Sequence, residues 1–467
     1  MNFRCLIFGS VFLASAALAE GENSRGLENL DFRQVVKDAK AKVFPAVVFI
    51  KCVRQDMQRG EKISQEVSGS GVLISADGEV VSNWHVVDKA TEVRCLLFDG
   101  RAYTAKVLGS DKDTDVALLK LTTPLGGSPG AEAGSTNGPS SLPFANFGDS
   151  TRLTEGDFVM AMGAPFGLSR SVSIGIISCT RRFLPGSSEY SIWLQTDASI
   201  NPGNSGGPLV NTSGEVVGLN TRGMMGGGGD MGFTVPVEVV KAVAGQIRKQ
   251  GKMEWSWTGL QLQPLKDFNK NIYFPANEGV VVAETDPESP ARRAGIMAND
   301  RLIKLNGDSL NGITQEDLPE LRRRIGLLPK GEAASFDLMR GGTALSVKVT
   351  PREKGKVEGE ELECPRWDLT VKAINQFDNP DLYFHQKQGV FIYGVKAPGN
   401  AYTSGLSAQD ILMKVDGREV KTLADVKDLH AKAIENVSTR HKIRFDVLRN
   451  GELRQVMLDF GLQTDKE

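Results

Sequence analysis

The sequence places one serine inside a glycine-rich turn. Ser205 lies in the stretch Asn201–Pro208, together with Gly203, Gly206 and Gly207. Glycine lacks the Cβ atom that would keep a ligand away from the backbone, and Gly203 can take the positive φ that turns successive N–H groups inward. We therefore predict that Ser205 is a nucleophile. The N–H groups of Gly203 and Ser205 would form an oxyanion hole, which stabilises the charge that develops on a carbonyl oxygen during acyl transfer. An ordinary hairpin turn is the alternative.

A histidine and an aspartate upstream of Ser205 could activate it. Serine is a weak nucleophile at neutral pH and needs a base, and the base needs a carboxylate to fix its tautomer. His85 lies two residues after the strand-like run Glu79–Asn83, and Asp115 opens the apolar run Asp115–Leu121. The order His85, Asp115, Ser205 is that of chymotrypsin-like enzymes, not that of subtilisins or α/β-hydrolases. Taken singly, a structural histidine and a turn aspartate are the alternatives.

Five segments around these residues resemble the HtrA/Deg family of serine proteases, and the likeness covers nearly the whole mature chain. The segments are Gly69–Ser75, Ser82–Val87, Asp113–Leu119, Gly163–Gly167 and Gln195–Pro208. The resemblance implies that His85 acts as general base and then general acid, that Asp115 orients it and that Ser205 attacks the substrate. Two departures are visible: Trp84 stands where the family has a small or amide residue, and Thr122–Ser141 is longer than usual.

The resemblance also bears on substrate preference. Trypsin-class enzymes that cleave after Lys or Arg carry an aspartate six residues before the nucleophile, and Ser199 holds that position here. The other specificity-pocket residues implied are Ile200, Gly232, Phe233 and Thr234. Because this set is mostly apolar, we expect cleavage after small or medium aliphatic side chains and not after basic ones.

Two sets of short apolar or alternating runs predict strands. The first set is Ala46–Val53, Gly71–Ser75, Glu79–Asn83, Glu92–Phe98, Tyr103–Leu108 and Val116–Leu121. The second set is Phe158–Gly163, Ser171–Cys179, Ser191–Thr196, Gly207–Val210, Val216–Asn220 and Gly232–Val235. Six strands each suit two antiparallel barrels, with the active site in the cleft between them. Helices are predicted from Asp31 to just before Pro45 and over Val237–Gln250, and Thr122–Ser141 reads as a loop between the barrels.

An internal repeat follows the barrels. Gly279–Gly307 aligns without a gap on Gly389–Gly417 at an offset of 110 residues. Each copy reads as a strand, a short helix and a second strand. Both copies resemble PDZ domains, which add an extended C-terminal peptide to a sheet as a strand and hold its carboxylate on backbone N–H groups. We call the two copies PDZ1 and PDZ2.

The carboxylate-binding loop differs between the two copies. In PDZ1 we predict that Gly259, Leu260 and Gln261 bind the peptide carboxylate. PDZ2 has Asp368–Val371 at this place, with an anionic residue and no glycine, so peptide binding by PDZ2 stays open.

The predicted fold class is mainly β, with a chymotrypsin-like double six-stranded β-barrel protease domain and two α+β PDZ domains. The predicted bounds are 1–19 for a signal peptide, 20–252 for the protease, 256–352 for PDZ1, 353–366 for a charged, solvated linker and 367–462 for PDZ2.

The N-terminus has the layout of a cleaved secretory signal, and an uncleaved membrane anchor is the alternative. Arg4 precedes an apolar core from Leu6 to Ala16, and Ala17–Ala19 has the small-x-small pattern of a cleavage site. No later run is long enough to cross a membrane as an apolar helix. The chain has 55 basic and 57 acidic residues and a net charge of −2, which argues against nucleic acid as the main partner.

Four cysteines remain after the signal, and their spacing is not that of a metal site. They are Cys52, Cys95, Cys179 and Cys364. We predict no metal and no cofactor. Cys52 and Cys95 fall on the first and fourth strands of the first barrel, which are neighbours when such a barrel closes, so a disulfide between them is one alternative and two buried thiols are the other.

The expected function is that of an exported, ATP-independent serine endopeptidase that degrades unfolded or damaged proteins, with the bacterial periplasm as its compartment. A chaperone or scaffold that binds unfolded clients with little proteolysis is the alternative, and a PDZ adaptor is a weaker one. The resemblance implies trimers or multiples of trimers. It also implies that an arginine in a sensor loop relays peptide occupancy to the oxyanion turn, and Arg182 aligns with that role; an arginine that serves only solubility is the alternative.

Overall fold

The computed structural model describes residues 31–125, 141–164, 170–226 and 229–461. The predicted signal peptide and most of the Thr122–Ser141 segment lie outside these residues. Helix α1 (Phe32–Val43) is the first described element, and the Asp31 side chain caps it by accepting the N–H of Arg33. The helix gives way to a 3₁₀ turn over Phe44–Ala46, which contains a proline and so cannot continue the α-helical hydrogen bonds. The predicted helix and its end are confirmed.

The first barrel closes in the order β1-β2-β3-β6-β5-β4. Its strands are β1 (Val47–Gln58), β2 (Glu61–Leu73), β3 (Glu79–Ser82), β4 (Ala90–Leu96), β5 (Ala102–Asp111) and β6 (Val116–Pro124). A one-turn helix, α2 (Trp84–Val87), follows β3. The prediction of six strands is confirmed. The cysteines on β1 and β4 lie on neighbouring strands as predicted, but both are buried free thiols, and burial raises the pKa of Cys52 to about 12.

The β1–β2 hairpin is much longer than the sequence predicted. Arg59 and Gly60 form its two-residue turn with φ of +49° and +84°, the signs of a type I′ turn. An arginine at the first of these positions is a poor turn signal, because residues with a Cβ other than Asn and Asp rarely adopt positive φ. Side chains along the outer part of β2 alternate between exposed and half-buried, so this part of the hairpin lacks the apolar pattern of a core strand.

The second barrel closes in the order β10-β11-β12-β9-β8-β7. Its strands are β7 (Phe158–Gly163), β8 (Ser171–Arg182), β9 (Trp193–Thr196), β10 (Pro208–Asn211), β11 (Val216–Gly226) and β12 (Gly229–Pro236). Helix α3 (Val237–Gln250) has the predicted bounds and ends at Gly251, which takes the left-handed conformation common after helices. The apolar face of α3 packs into one hydrophobic cluster with residues of both barrels, so the two barrels form one body.

PDZ1 has a sheet in the order β14-β17-β18-β20-β21, with β19 paired to β18. Its strands are β13 (Ser256–Trp257), β14 (Leu260–Gln263), β15 (Lys266–Asp267), β16 (Ile272–Tyr273), β17 (Val280–Thr285), β18 (Arg301–Leu305), β19 (Asp308–Ser309), β20 (Ala334–Arg340), β21 (Thr343–Val349) and β22 (Arg352–Glu353). Its helices are α4 (Pro290–Arg293) and α5 (Leu318–Gly326). The short predicted helix after β17 is confirmed as α4.

PDZ2 repeats this topology as β24-β25-β26-β28-β29. Its strands are β23 (Glu361–Cys364), β24 (Leu369–Ala373), β25 (Val390–Val395), β26 (Ile411–Val415), β27 (Arg418–Glu419), β28 (Lys442–Arg449) and β29 (Glu452–Asp459). Its helices are α6 (Pro380–His385), α7 (Asn400–Thr403) and α8 (Leu423–Glu435). PDZ1 and PDZ2 each have a hydrophobic core of their own.

The two PDZ units differ at the edge of the sheet. Within the described chain, β14 of PDZ1 pairs with β17 alone and lies at an edge, whereas its counterpart in PDZ2, β24, pairs with β25 and also with β23. Strand β23 comes from the segment that we expected to be a solvated linker, so the structure departs from that expectation. Leu362 and Cys364 alternate there with Glu361 and Glu363, and Cys364 is fully buried. The high charge of the segment concealed this alternation.

Candidate active site

The structure brings His85 and Asp115 together at one end of the first barrel. His85 lies on α2, and its ring Nδ1 is 2.9 Å from both carboxylate oxygens of Asp115. The backbone N–H of His85 also donates to Asp115 Oδ1 at 3.1 Å. Asp115 precedes β6 with a φ of +57°, and its side chain is 6% exposed compared with 38% for His85. A buried carboxylate on Nδ1 favours the tautomer that leaves Nε2 free to accept a proton.

Asn83 and Thr221 hold the backbone of Asp115 through hydrogen bonds, and the sequence analysis did not single out either residue. The Asn83 side-chain amide donates to the carbonyl oxygen of Asp115 and to Thr221 Oγ1, both at 3.0 Å. Asn83 and Thr221 are buried, and Thr221 lies on β11 of the second barrel. The hydrogen bonds therefore join the aspartate turn of one barrel to a strand of the other. Asn83 lies in a segment that carried the family resemblance, but no local pattern marks Thr221.

Ser205 lies in a turn of the second barrel that the first barrel holds in place. Ser70 of β2 donates its N–H to the Ser205 carbonyl at 2.7 Å and its hydroxyl to the Gly203 carbonyl at 2.6 Å. The N–H of Ala164 in turn donates to Ser70 Oγ at 2.9 Å. Gly206 has a φ of +82°, and a Cβ atom there would lie 2.1 Å from the Ser70 carbonyl oxygen, so only glycine fits.

The N–H groups of the serine turn divide into occupied and free donors. Gly206 and Gly207 donate to the carbonyls of Asn220 and Asn204, at 2.8 and 2.9 Å. Within the described chain, the N–H groups of Gly203 and Ser205 have no acceptor, and Gly203 has a φ of +100°. These two are the predicted oxyanion donors. The Ser205 hydroxyl itself donates to the Thr221 carbonyl at 2.9 Å.

The predicted specificity-pocket residues fall into two groups. Ile200 and Gly232 are in contact, because a Cβ on Gly232 would lie 2.8 Å from Ile200 Cδ1, and the Ser199 carbonyl accepts the Ser173 hydroxyl at 2.7 Å. Phe233 lies in a different hydrophobic cluster from Ile200, and Thr234 is fully buried. The structure therefore brings Ile200 and Gly232 together, whereas Phe233 and Thr234 are buried on opposite faces of β12.

The predicted regulatory arginine and its neighbour have different partners. Arg182 Nε donates to Gln195 Oε1 of the adjacent strand at 2.8 Å, so both partners belong to the second barrel. Arg181 reaches PDZ1, where it donates to Asp317 Oδ1 and to the Glu316 carbonyl, both at 3.1 Å. Arg181 and the Ser188 carbonyl, which accepts Arg322 Nη1 at 3.4 Å, thus connect this loop to PDZ1, and the sequence analysis selected neither residue.

The loops before β14 and β24 have related conformations. Gly259 has a φ of +74°, and a Cβ there would lie 2.2 Å from Ser289 Cβ, so PDZ1 requires glycine at this position. Asp368 takes a φ of +55° at the same place in PDZ2. Its Oδ2 accepts the N–H of Asn400, the first residue of α7, at 2.8 Å, so the Asp368 carboxylate already occupies a backbone donor beside this loop.

The turn between β5 and β6 carries three carboxylates with different partners. Asp115 belongs to the pair described above. Asp113 forms an ion pair with Lys354 at 2.8 Å, and Asp111 accepts the indole N–H of Trp255 at 2.9 Å. Burial, followed by repulsion from Asp113, raises the pKa of Asp111 to about 6. Because Trp255 and Lys354 flank PDZ1 in the chain, one short turn contacts both the histidine and the PDZ1 boundaries.

Family models match two regions of the chain, one in the barrels and one in PDZ1. Residues 69–219 match the model described as a trypsin-like peptidase domain, and residues 257–350 match the model described as a PDZ domain. Two closed six-stranded barrels that carry a histidine–aspartate pair and a glycine-framed serine, followed by PDZ units, define the class of trypsin-like serine proteases with PDZ domains.

Curated relatives are similar along most of the chain. A "probable periplasmic serine endoprotease DegP-like" protein of Ectopseudomonas mendocina (strain ymp) is 32% identical over 96% of this chain and 95% of its own length. The protein of the same description from Halomonas elongata is 33% identical over 79% of this chain and 75% of the relative. Among solved structures, the HtrA-type protease AlgW with a decapeptide aligns with a TM-score of 0.56 and 27% identity over 68% of this chain and 99% of that one.

The chain belongs to the HtrA/DegP family of serine proteases. It is a serine protease with a PDZ domain after its barrels. In the described part of the chain, no helix is both long and apolar enough to cross a membrane.

Proposed function

We propose that this protein is an exported endopeptidase that cleaves unfolded or damaged proteins through His85, Asp115 and Ser205. The observation that carries the proposal is the buried Asp115 carboxylate on Nδ1 of His85 beside a serine turn that keeps two N–H groups free. His85 Nε2 removes the Ser205 proton as the hydroxyl oxygen attacks the substrate carbonyl. The N–H groups of Gly203 and Ser205 then bind the oxyanion.

His85 next donates the proton to the leaving amine, which leaves an acyl group on Ser205. His85 then removes a proton from water as the water attacks the acyl carbonyl, and it returns that proton to the Ser205 oxygen as the acyl group leaves. Asp115 stays ionised and stabilises the imidazolium. In the structure the Ser205 hydroxyl donates to the Thr221 carbonyl, so a rotation about its Cα–Cβ bond must turn it towards His85 before attack. This conformation of Ser205 is therefore the one that precedes its activation by His85.

The substrate side of the proposal has independent supports. The contact of Ile200 with Gly232 supports an aliphatic specificity pocket. The open edge of β14 and the required glycine at position 259 support binding of a C-terminal peptide by PDZ1.

Relatives named periplasmic serine endoproteases support export to the periplasm, and family membership supports assembly in trimers or their multiples. Arg182 remains the proposed relay from PDZ1 to the oxyanion turn, with Arg181 as the contact that supports it.

The test of the proposed chemistry is labelling with a serine-directed fluorophosphonate, combined with cleavage of a reduced, unfolded substrate. Ser205→Ala should abolish labelling, and Ser205→Ala and His85→Ala should each lower turnover by roughly a thousandfold or more. The double variant should be scarcely worse, because residues that act as one unit do not give additive losses.

Ser213→Ala, at an exposed serine outside the site, is the control and should label and cleave as the unchanged protein does. Absence of Ser205-dependent labelling under every condition would contradict the proposal. If the unlabelled protein still suppressed aggregation of the unfolded substrate, the result would favour the chaperone alternative.

A further inference from the structure

A cavity of about 880 Å³ lies where the barrels, PDZ1 and PDZ2 meet. Its lining includes Glu189 and Tyr190 of the protease, Gly259–Leu262 and Ile325 of PDZ1, and Tyr383 and Phe384 of PDZ2. The cavity therefore contains the predicted carboxylate loop of PDZ1 and the free edge of β14, together with one face of α5. A peptide added to β14 would lie inside it.

PDZ2 cannot offer a site of the same kind in this conformation. Strand β23 occupies the edge of β24 with the antiparallel pairing that an added peptide would use, from Glu361 opposite Lys372 to Cys364 opposite Leu369. Cys364 is fully buried, so β23 belongs to the PDZ2 core. One PDZ edge is thus closed by the chain itself, while the other opens into a cavity that PDZ2 helps to line.

The PDZ2 part of the cavity is a segment over residues 376–387, which we call the PDZ2 arm. Its Phe377 packs edge-on against Trp257 of PDZ1, with ring centroids 6.4 Å apart. Its Asp378 forms an ion pair with Lys372 of β24 at 2.8 Å, which ties the arm to its own domain. Phe384 is 79% exposed although it lines the cavity. Phe384 is thus an exposed aromatic side chain in the cavity that contains the open edge of β14. An apolar side chain of a peptide bound to that edge would cover it.

We propose that the PDZ1 ligand is bound by both PDZ domains at once, with the PDZ2 arm as the second wall of the site. The ligand class is an extended peptide with a free C-terminal carboxylate and an aromatic or large aliphatic residue upstream that packs on Tyr383 and Phe384. The inference rests on the proposed peptide binding by PDZ1 and adds the upstream selectivity. It assigns PDZ2 the role of a co-receptor.

The geometry of a strand makes this selectivity positional. Successive side chains of an extended peptide point to opposite sides. Side chains of one parity point towards Ile325 of α5 and those of the other parity point away from it, so the PDZ2 arm, which lines the same cavity, can contact side chains of one parity only. We therefore expect the arm to select at alternate upstream positions.

The experiment uses the full chain with Ser205→Ala to prevent cleavage. The probes are fluorescein-labelled octapeptides of Gly and Ser that end in valine with a free carboxylate, with one phenylalanine moved along the upstream positions. We expect the best position to bind about fivefold or more tightly than the peptide without phenylalanine, measured by fluorescence anisotropy. Phe384→Ala should remove this gain and leave the binding of the peptide without phenylalanine unchanged.

Tyr402→Ala is the matched control, because Tyr402 is an aromatic residue of PDZ2 that is 58% exposed and does not line the cavity. It should leave the gain intact. A second readout uses benzoylphenylalanine at the best position. Photocrosslinking followed by trypsin should label the fragment 373–387, which lies between two lysines and contains the arm.

The outcomes separate this inference from the proposed function. The same peptides with an amidated C-terminus test recognition of the carboxylate. If they bind as tightly as the peptides with a free carboxylate, or if no peptide binds, C-terminal recognition by PDZ1 is wrong and the inference falls with it. If free peptides bind but Phe384→Ala keeps the phenylalanine gain and no crosslink reaches the arm, the two-domain site is wrong while PDZ1 binding stands. Fluorophosphonate labelling of Ser205 is independent of both results.

Discussion

Ser70 is a residue of the first barrel that holds the backbone of the serine turn in the second. Its hydroxyl donates to the Gly203 carbonyl and accepts the N–H of Ala164. Ser70→Ala leaves both groups without these partners and frees the Gly203–Asn204 peptide, which lies between the two oxyanion donors. We expect turnover to fall by about 10- to 100-fold, because oxyanion stabilisation depends on donors fixed in advance. Steady-state cleavage of an unfolded substrate measures the effect.

Ser68→Ala is the control for this prediction, since Ser68 is an exposed residue of the same strand. It should leave turnover unchanged. Equal activity of Ser70→Ala and Ser68→Ala at saturating substrate would show that the hydroxyl does not support the oxyanion turn. A melting curve for each variant separates lost positioning from lost folding.

The sequence predicted the three side chains that carry the proposed chemistry. His85, Asp115 and Ser205 were recognisable because each follows or precedes an apolar strand and because their order is diagnostic. Thr221 was not, because any residue type could supply the backbone carbonyl that accepts the Ser205 hydroxyl, and because Asn83, the partner of its own hydroxyl, is far away in the chain. Hydrogen bonds between barrels depend on how strands register in space, and local sequence does not encode that register.

Helix α8 contains a buried histidine that should make PDZ2 sensitive to acid. Burial lowers the pKa of His430 to about 4, and its ring packs edge-on against Trp367 at 4.8 Å. An unfolded histidine takes up a proton as the pH falls through about 6.5, whereas the folded one resists until about pH 4. The unfolded state therefore binds more protons in that window, and stability is lost as the pH falls through it.

Between about pH 7 and pH 5 this residue should cost PDZ2 about 1–2 kcal/mol of unfolding free energy. Calorimetry of the full chain measures the effect as a fall in the PDZ2 melting transition. His430→Leu should flatten the fall, and His385→Leu, at an exposed histidine, should keep it. The same slope in both variants would assign the acid sensitivity to other groups.

Elements were predicted well where burial sets a period and poorly where it does not. Helix α3 was predicted with its bounds because its buried face recurs at helical spacing. The outer half of the β1–β2 hairpin was missed because neither of its faces is fully buried, and β23 was missed because two glutamates mask a short apolar alternation. Both missed elements contact another domain, and such contacts leave little trace in local composition.

The tip of the β1–β2 hairpin joins the protease to PDZ2. A Cβ on Gly60 would lie 2.3 Å from the backbone nitrogen of Lys396, so the tip touches the end of β25 directly. Lys89 adds an ion pair to Glu361 of β23 at 3.0 Å. The placement of PDZ2, and with it that of the PDZ2 arm, thus depends on a hairpin of the first barrel.

Gly60→Ala should loosen PDZ2 from the protease, because the added methyl group meets backbone atoms that cannot move aside cheaply. Gly100→Ala is the matched control. Gly100 has nearly the same φ, +86° compared with +84°, and has no atom within 4 Å of the added carbon. Both variants carry the same backbone strain, of order 1 kcal/mol. Only Gly60→Ala should increase the radius of gyration in small-angle scattering; an equal radius for both would show that the tip does not hold PDZ2.

The closed edge of β24 has a consequence for valency. A chain with two open PDZ edges could capture two peptide termini, or the same client twice, and would gain avidity within one molecule. With β23 in place, β14 is the one of the two equivalent strands, β14 and β24, whose edge stays open in the described part of the chain. Tight retention of a client through its termini would then require several chains acting together, so in the proposed assembly the number of subunits would set the number of PDZ1 sites that can hold one substrate.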